Sequence, residues 1–251
     1  MVTPVDFAFV SAKLCDVFPD GTSALVTRGI LNLTQRTSHE EPSPVVPGEP
    51  VTVSIELDAT SWIWEPGHRV RLDIAGSDFP SSWPPPEAGT LTVDRGGSSL
   101  VLPVLRGPSP DPAPAFAQGD PAPHEVEHVT WYHAQDIVSR EHRVTIDHGG
   151  VRGAGRHPRQ AFAGAGADGL DYLDRYGGTI EVRWDEPGIA CATGGTVYEL
   201  GWPEVRVRTE SRGTLRSDAT TWYVALELEV RENGETIATR RWERTVPRHL
   251  A

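Results

Sequence analysis

Residues 222–246 read WYVALELEVRENGETIATRRWERTV, and their reading decides the fold class. Two runs rich in aliphatic, β-branched and aromatic residues, 222–230 and 236–246, flank the dipeptide Asn233-Gly234. Asn-Gly between two such runs is the strongest short-range hairpin signal, because both central residues of a tight turn of this kind adopt positive φ. The stretch therefore predicts two antiparallel strands joined by a two-residue turn.

The same pattern continues upstream. Residues 126–132, 142–146, 179–184, 196–200 and 205–209 fit strands better than helices, as do 7–17, 24–33, 51–57, 69–74 and 100–105. Each is short, β-branched or aromatic, and bounded by Pro, Gly, Asp or Ser. Short helical turns are expected only near 134–138 and 169–176, and residues 148–169 read as a long loop. Many short strands with little helix predict an all-β protein built of antiparallel sandwiches.

Residues 106–123 read RGPSPDPAPAFAQGDPAP, a composition that favours extended polyproline geometry over packed structure. They divide the chain into a first module, 1–106, a proline-rich linker, 107–123, and a second, smaller β-rich module, 124–251. No internal repeat stands out.

With 251 residues and a hydrophobic fraction of 38%, the chain can bury a sizeable core. A charged fraction of 23% and a mean hydropathy of -0.35 set it apart from disordered, collagen-like and membrane classes. The formal charge of -12 disfavours a main role in gripping nucleic acid or an anionic bilayer. Lys13 is the only lysine and has no glycine-rich loop beside it, which argues against Schiff-base chemistry and P-loop phosphate binding. Cys15 and Cys191 are too few for a disulfide framework or a cysteine zinc site and read as buried thiols. Without a signal-like N-terminus or a long apolar run, the cytoplasm is the default location. No cofactor is implied.

Three motifs invite chemistry. His124-Glu125-Val126-Glu127-His128 matches H-E-x-x-H, which binds zinc when a helix brings the two histidines one turn apart. Pro121 and Pro123 precede it, however, and the run to His133 is β-prone. On a strand the histidines would stand about 13 Å apart, too far to share an ion directly. His133 is a further possible ligand, one residue out of the extended metalloprotease spacing. Gly164-Ala165-Gly166-Ala167-Asp168-Gly169 satisfies G-x-G-x-x-G but lacks a preceding hydrophobic strand and reads as a loop. G-x-S-x-G does not occur, and Ser217-Asp218 reads as a turn or cap rather than as part of a triad.

A family resemblance rests on Lys13-Leu14-Cys15-Asp16-Val17 with Pro19-Asp20-Gly21, Gly29-Ile30-Leu31 and Pro47-Gly48-Glu49. It rests further on Thr60-Ser61, the run Pro66-Gly67-His68-Arg69-Val70-Arg71-Leu72, Ser77-Asp78-Phe79-Pro80 and the closing LVLPVL. Residues 6–106 resemble the C-terminal β-sandwich domain of the X-Pro dipeptidyl-peptidase and cocaine-esterase-like serine hydrolases. Residues 124–251 resemble an extension carried by some bacterial members.

The resemblance implies a jelly roll of galactose-binding type, normally preceded by an α/β-hydrolase domain with a Ser-Asp-His triad and a helical cap. The acidic lead-in before Phe7 is only partly kept, as Val5-Asp6, and the expectation is a chain that begins inside the third domain. It would be a fragment, or a separate subunit whose partner supplies the triad.

The resemblance thus implies a non-catalytic role: docking on an α/β-hydrolase domain or subunit, or self-association, and helping to wall the substrate cleft. Candidate cleft or interface residues are Trp62, Trp64, Asp78, Phe79 and Trp83, with packing inside the domain as the plainer reading of the aromatics. A stand-alone jelly-roll module binding a glycan or small ligand is the alternative. A zinc hydrolase using His124, Glu125 and His128 is the third reading.

Overall fold

The structure is a computed structural model that describes residues 1–105, 107, 124–126, 129–154 and 170–250, with the backbone alone at 124–126. The expected linker beyond residue 107, the G-x-G-x-x-G segment and His128 lie outside the described residues. What is described is all-β, with antiparallel ladders throughout.

The first unit is built on β1 (Phe9–Val17), flanked by β2 (Ser23–Asn32) and β3 (Arg69–Ala75) in the order β2-β1-β3. Alternation along β1 sends Val10, Ala12, Leu14 and Asp16 to one face and Ser11, Lys13, Cys15 and Val17 to the other. Val10 and Leu33 are fully buried, and Met1, Val5, Leu31, Val53, Ile55 and Leu91 pack around them. A short 3-10 turn, Leu33–Gln35, closes β2. The Asn32 side chain caps it, accepting from the Thr34 N–H at 3.0 Å.

Two expected strands are corrected. Residues 51–57 form no ladder. They lie against β2 through the Asp58 N–H to Arg28 carbonyl bond at 2.9 Å and the Thr27 hydroxyl on the Asp58 carbonyl at 2.6 Å. Residues 100–105 likewise pair with no edge, leaving Val101 86% and Val104 75% exposed. Propensity makes a strand only where a neighbouring edge supplies the hydrogen bonds.

The second unit is a nine-stranded antiparallel sheet. Its strands are β4 (His124–Val126), β5 (Thr130–Asp136), β6 (Glu141–Asp147), β7 (Val151–Ala154), β8 (Asp171–Arg183), β9 (Ala190–Gly201), β10 (Arg206–Ser217), β11 (Thr221–Glu232) and β12 (Glu235–Pro247). The main path runs β12-β11-β10-β9-β8-β6-β5, while β7 bridges β4 and β8.

The expected helical turns are therefore strands: residues 134–136 belong to β5 and 171–176 to β8, whose pairing with β9 overrides local preference. Part of the expected 148–169 loop is β7. The Asn233-Gly234 hairpin is present. Asn233 has φ 50° and Gly234 φ 88°, and the turn joins Glu232 to Glu235.

Register separates the sheet into two unlike faces. Val182, Ala190, Ser217, Trp222 and Val246 stand opposite one another across five strands, while Glu181, Cys191, Arg216, Tyr223 and Thr245 form the adjacent row on the other side. The second face carries ion pairs such as Arg143 with Glu181 and Arg206 with both Glu199 and Asp171. These pairs are largely exposed, so they keep the face solvated more than they stabilise it.

Candidate functional site

The loop after β3, residues 76–86, carries three of the five candidate residues and is held from both sides. Asp78 is buried and receives the ammonium of Lys13 and, at 3.2 Å, the guanidinium of Arg28. Lys13 and Arg28 face each other across β1 and β2, so ladder register alone brings both cations to one carboxylate. Arg28 also donates to the Ser81 hydroxyl at 2.7 Å, and the Ser82 N–H returns to the Asp78 carbonyl at 3.0 Å. The loop is thereby fixed on the polar face of the first sheet.

Its far side packs on the apolar face of the second unit. The Phe79 ring lies 5.0 Å from the His142 ring, and Trp83 lies 5.1 Å from Trp222. The Trp83 indole N–H donates to the Ser217 hydroxyl at 3.0 Å, and that hydroxyl donates to the Gly188 carbonyl at 2.7 Å. Gly188 has no room for a side chain: a Cβ would stand 2.3 Å from the Pro86 carbonyl oxygen.

Arg248, beyond β12, closes this junction. It is 6% exposed, and its guanidinium reaches the carbonyls of Pro84 and, at 3.2 Å, Asp218, with the Trp222 ring 4.7 Å away. Burial pushes it down to about 10, against the attraction of Asp218, so it is still a cation at neutral pH. Two residues on, the Leu250 carbonyl accepts from the Asn32 amide at 3.3 Å and the Thr34 hydroxyl at 3.0 Å. The segment after β12 thus ties back to the end of β2.

Trp62 and Trp64 belong elsewhere. The Trp62 indole donates to Asp16 at 3.0 Å, and Asp16 also pairs with the His68 Nδ1 at 2.9 Å. Asp16 and Lys13 project from opposite faces of β1, so Trp62 sits apart from the group around Asp78. Burial pushes the Asp16 carboxyl up, but the hydrogen bonds from His68 and Trp62 outweigh it and hold the group below its usual range. The Trp64 indole nitrogen is buried with no hydrogen-bond partner among the described residues.

His133, at the end of a small aromatic network, reads differently from a metal ligand. The Trp131 indole donates to its Nε2 at 3.2 Å, which leaves Nδ1 to carry the proton and donate to His142 Nε2 at 3.3 Å. Burial, and then repulsion from His133, hold His142 below its ordinary value. His124 sits in β4, paired with Gly153, so the backbone at 124–126 is extended rather than helical. No group of three or more metal-ligating side chains occurs among the described residues.

Among the described residues Ser217 has no base beside it. The Ser217 hydroxyl hydrogen-bonds the Gly188 carbonyl, the Trp83 indole and, at 3.3 Å, Arg248, and no imidazole is among these partners. The Cys191 thiol is pushed up by burial and by Glu181, away from the reactive thiolate. Sequence reasoning flagged Trp83 and Phe79 but missed Ser217, Trp222 and Arg248 as their partners. Arg248 has no local signal, since its role comes from residues far away in the chain.

The described chain is all-β, with the loop after β3 joining its two sheets. Its residues 2–141, more than half of the chain, match the family described as the X-Pro dipeptidyl-peptidase C-terminal non-catalytic domain, and the chain belongs to that family. The chain is similar to the cocaine esterase of Rhodococcus sp. (strain MB1 Bresler), with 39% identity over 70 residues, 28% of this chain and 12% of that protein. It is also similar to the Xaa-Pro dipeptidyl-peptidase of Streptococcus gordonii, with 34% identity over 86 residues, 34% of this chain and 11% of that protein. The matches therefore span about an eighth of these relatives' own length. Among the described residues no helix is long and apolar enough to cross a membrane.

Proposed function

We propose that the chain is the non-catalytic C-terminal part of a serine hydrolase of X-Pro dipeptidyl-peptidase or acyl-esterase type. Its first unit is a jelly roll of galactose-binding type that docks on an α/β-hydrolase domain and helps to shape the substrate cleft. The observation that carries this reading is the apolar row on β3: Val70 52%, Leu72 40% and Ile74 37% exposed on one face of an outer strand. Exposed apolar rows of this kind mark contact surfaces. Family membership supports a hydrolase domain as the occupant.

Sedimentation of the chain with a hydrolase domain from the same source tests the reading. A one-to-one complex is expected, weakened at least tenfold by Val70→Gln, a neutral replacement chosen because Val70 stands opposite the buried Asp16 on the Leu14 face of the sheet. Two species that sediment independently at micromolar concentrations would refute it.

A further inference from the structure

The polar face of the second sheet carries a cavity of about 480 Å³, a volume that suits a small organic molecule. Ladder register sets its residues in one row: Glu181 on β8, Cys191 on β9, Arg216 on β10 and Tyr223 on β11 stand opposite one another in turn. Ile189, just before β9 and 47% exposed, adds an apolar wall. The 76–86 loop packs on the other face of this sheet, so the cavity is separate from the junction and from the apolar row on β3.

The charges around the cavity are unequally committed. Glu181 is held by Arg143 at 2.5 Å, and Arg183, opposite Glu141 in the ladder, is held by Asp185 at 3.3 Å and Glu186 at 3.1 Å. Arg216 is exposed and pairs with no carboxylate among the described residues. Its guanidinium lies 5.5 Å from the centre of the Tyr223 ring, and the Tyr223 hydroxyl donates to Asp218 at 2.9 Å, so the ring that backs Arg216 is itself fixed. Between Glu181 and Arg216, Cys191 forms the floor. Burial first and Glu181 second push its thiol up, against the pull of Arg216, which leaves the floor neutral and weakly polar.

We propose that this cavity binds a small aliphatic monocarboxylate, with its carboxylate on the Arg216 guanidinium and its apolar chain laid over Cys191 and Ile189 toward β8. A planar guanidinium donates to both oxygens of a carboxylate at once. Glu181 and Arg216 are two strands apart, so their backbones stand about 10 Å from each other and a six-carbon chain fits between them. Glu181 and Glu141, both on the lining, close the β8 end to a second negative charge, because like charges at close range repel. The site therefore selects one charge and an apolar body.

The cysteines make a direct test, since Cys15 is buried and Cys191 lies in the cavity floor. Alkylation of Cys191 in the full chain by N-ethylmaleimide, read by peptide mass mapping, is followed with hexanoate, adipate or hexan-1-ol, which share a six-carbon chain and differ in charge. Saturation-transfer NMR of the hexanoate methyl group reads the same binding without the thiol. Hexanoate should slow alkylation at least fivefold and saturably, and adipate and hexan-1-ol should bind at least tenfold more weakly. Arg216→Gln should abolish both signals, with native-like circular dichroism to exclude a folding defect. No hexanoate signal in the wild type, equal binding of adipate or hexan-1-ol, or binding that survives Arg216→Gln would each overturn the proposal.

Discussion

Trp83 and Ser217, 134 positions apart, are joined by an indole N–H to hydroxyl bond of 3.0 Å. That bond links the loop after β3 to the end of β10 and sits beside the contact of Trp83 with Trp222. The first unit is thereby keyed into the apolar face of the second.

Trp83→Ala should cost about 2–3 kcal/mol, the range for losing a half-buried aromatic contact and its hydrogen bond. Trp83→Phe, which keeps much of the packing, should cost about 1 kcal/mol. Urea denaturation followed by far-ultraviolet circular dichroism measures both. Equal stability of the wild type and Trp83→Ala would show the contact to be incidental.

Arg248→Met keeps the stem but strips donors from the carbonyls of Pro84, Gly188 and Asp218. Buried acceptors left without a donor make this costly, at about 2–4 kcal/mol. Arg248→Lys should recover only part of the loss, because one ammonium cannot span acceptors that a planar guanidinium reaches together. Thermal midpoints of the three proteins should fall in the order Arg, Lys, Met.

Gly188→Ala should separate the two units without removing any hydrogen-bonding group. The added Cβ would meet the Pro86 carbonyl and, at 3.1 Å, the Ala219 backbone, neither of which is a flexible side chain that can swing away. The cost should be about 1–3 kcal/mol. Limited proteolysis should cut the 76–86 loop faster than in the wild type, and an unchanged digestion rate would contradict the packing described.

Acid should loosen the same junction. His142 is held below its ordinary value in the folded chain, by burial first and His133 second, so the unfolded chain takes up a proton before the folded one does. Stability should therefore fall as pH drops through the ordinary histidine range and level off once folded His142 is itself protonated. His142→Phe, which keeps a ring against Phe79, should remove that slope. A denaturation midpoint with the same pH dependence in both proteins would assign the effect to another group.

The fold class was legible in the sequence wherever the strand signal was local. Asn233-Gly234 specified its hairpin because the two residues supply the positive φ values that the turn requires. Alternation and β-branching located β1, β2, β3, β6, β11 and β12 to within a few residues. The strand at β10 runs on to Ser217 through Glu210, Ser211 and Gly213, which carry no strand propensity and are ordered by pairing on both sides. The reverse holds for residues 51–57 and 100–105, which have the propensity but no edge to join.

Much less of the site was legible. Asp78, Phe79 and Trp83 stood out through composition and family resemblance, yet their partners Arg28, His142, Ser217 and Trp222 lie at separations for which no local pattern exists. Opposite projection from β1 also splits Trp62, bonded to Asp16, from Asp78, bonded to Lys13, a consequence of strand parity that only register reveals.

The central claim, a non-catalytic unit that completes a hydrolase, is tested most directly by one rate measurement. A hydrolase domain from the same source is assayed on an acyl ester or an X-Pro dipeptide substrate with and without added chain. The account predicts no turnover by the chain alone and a kcat/KM for the hydrolase domain that rises and saturates at one equivalent of chain. Turnover by the chain alone that a serine-reactive phosphonate abolishes, or a kcat/KM indifferent to the chain, would contradict it.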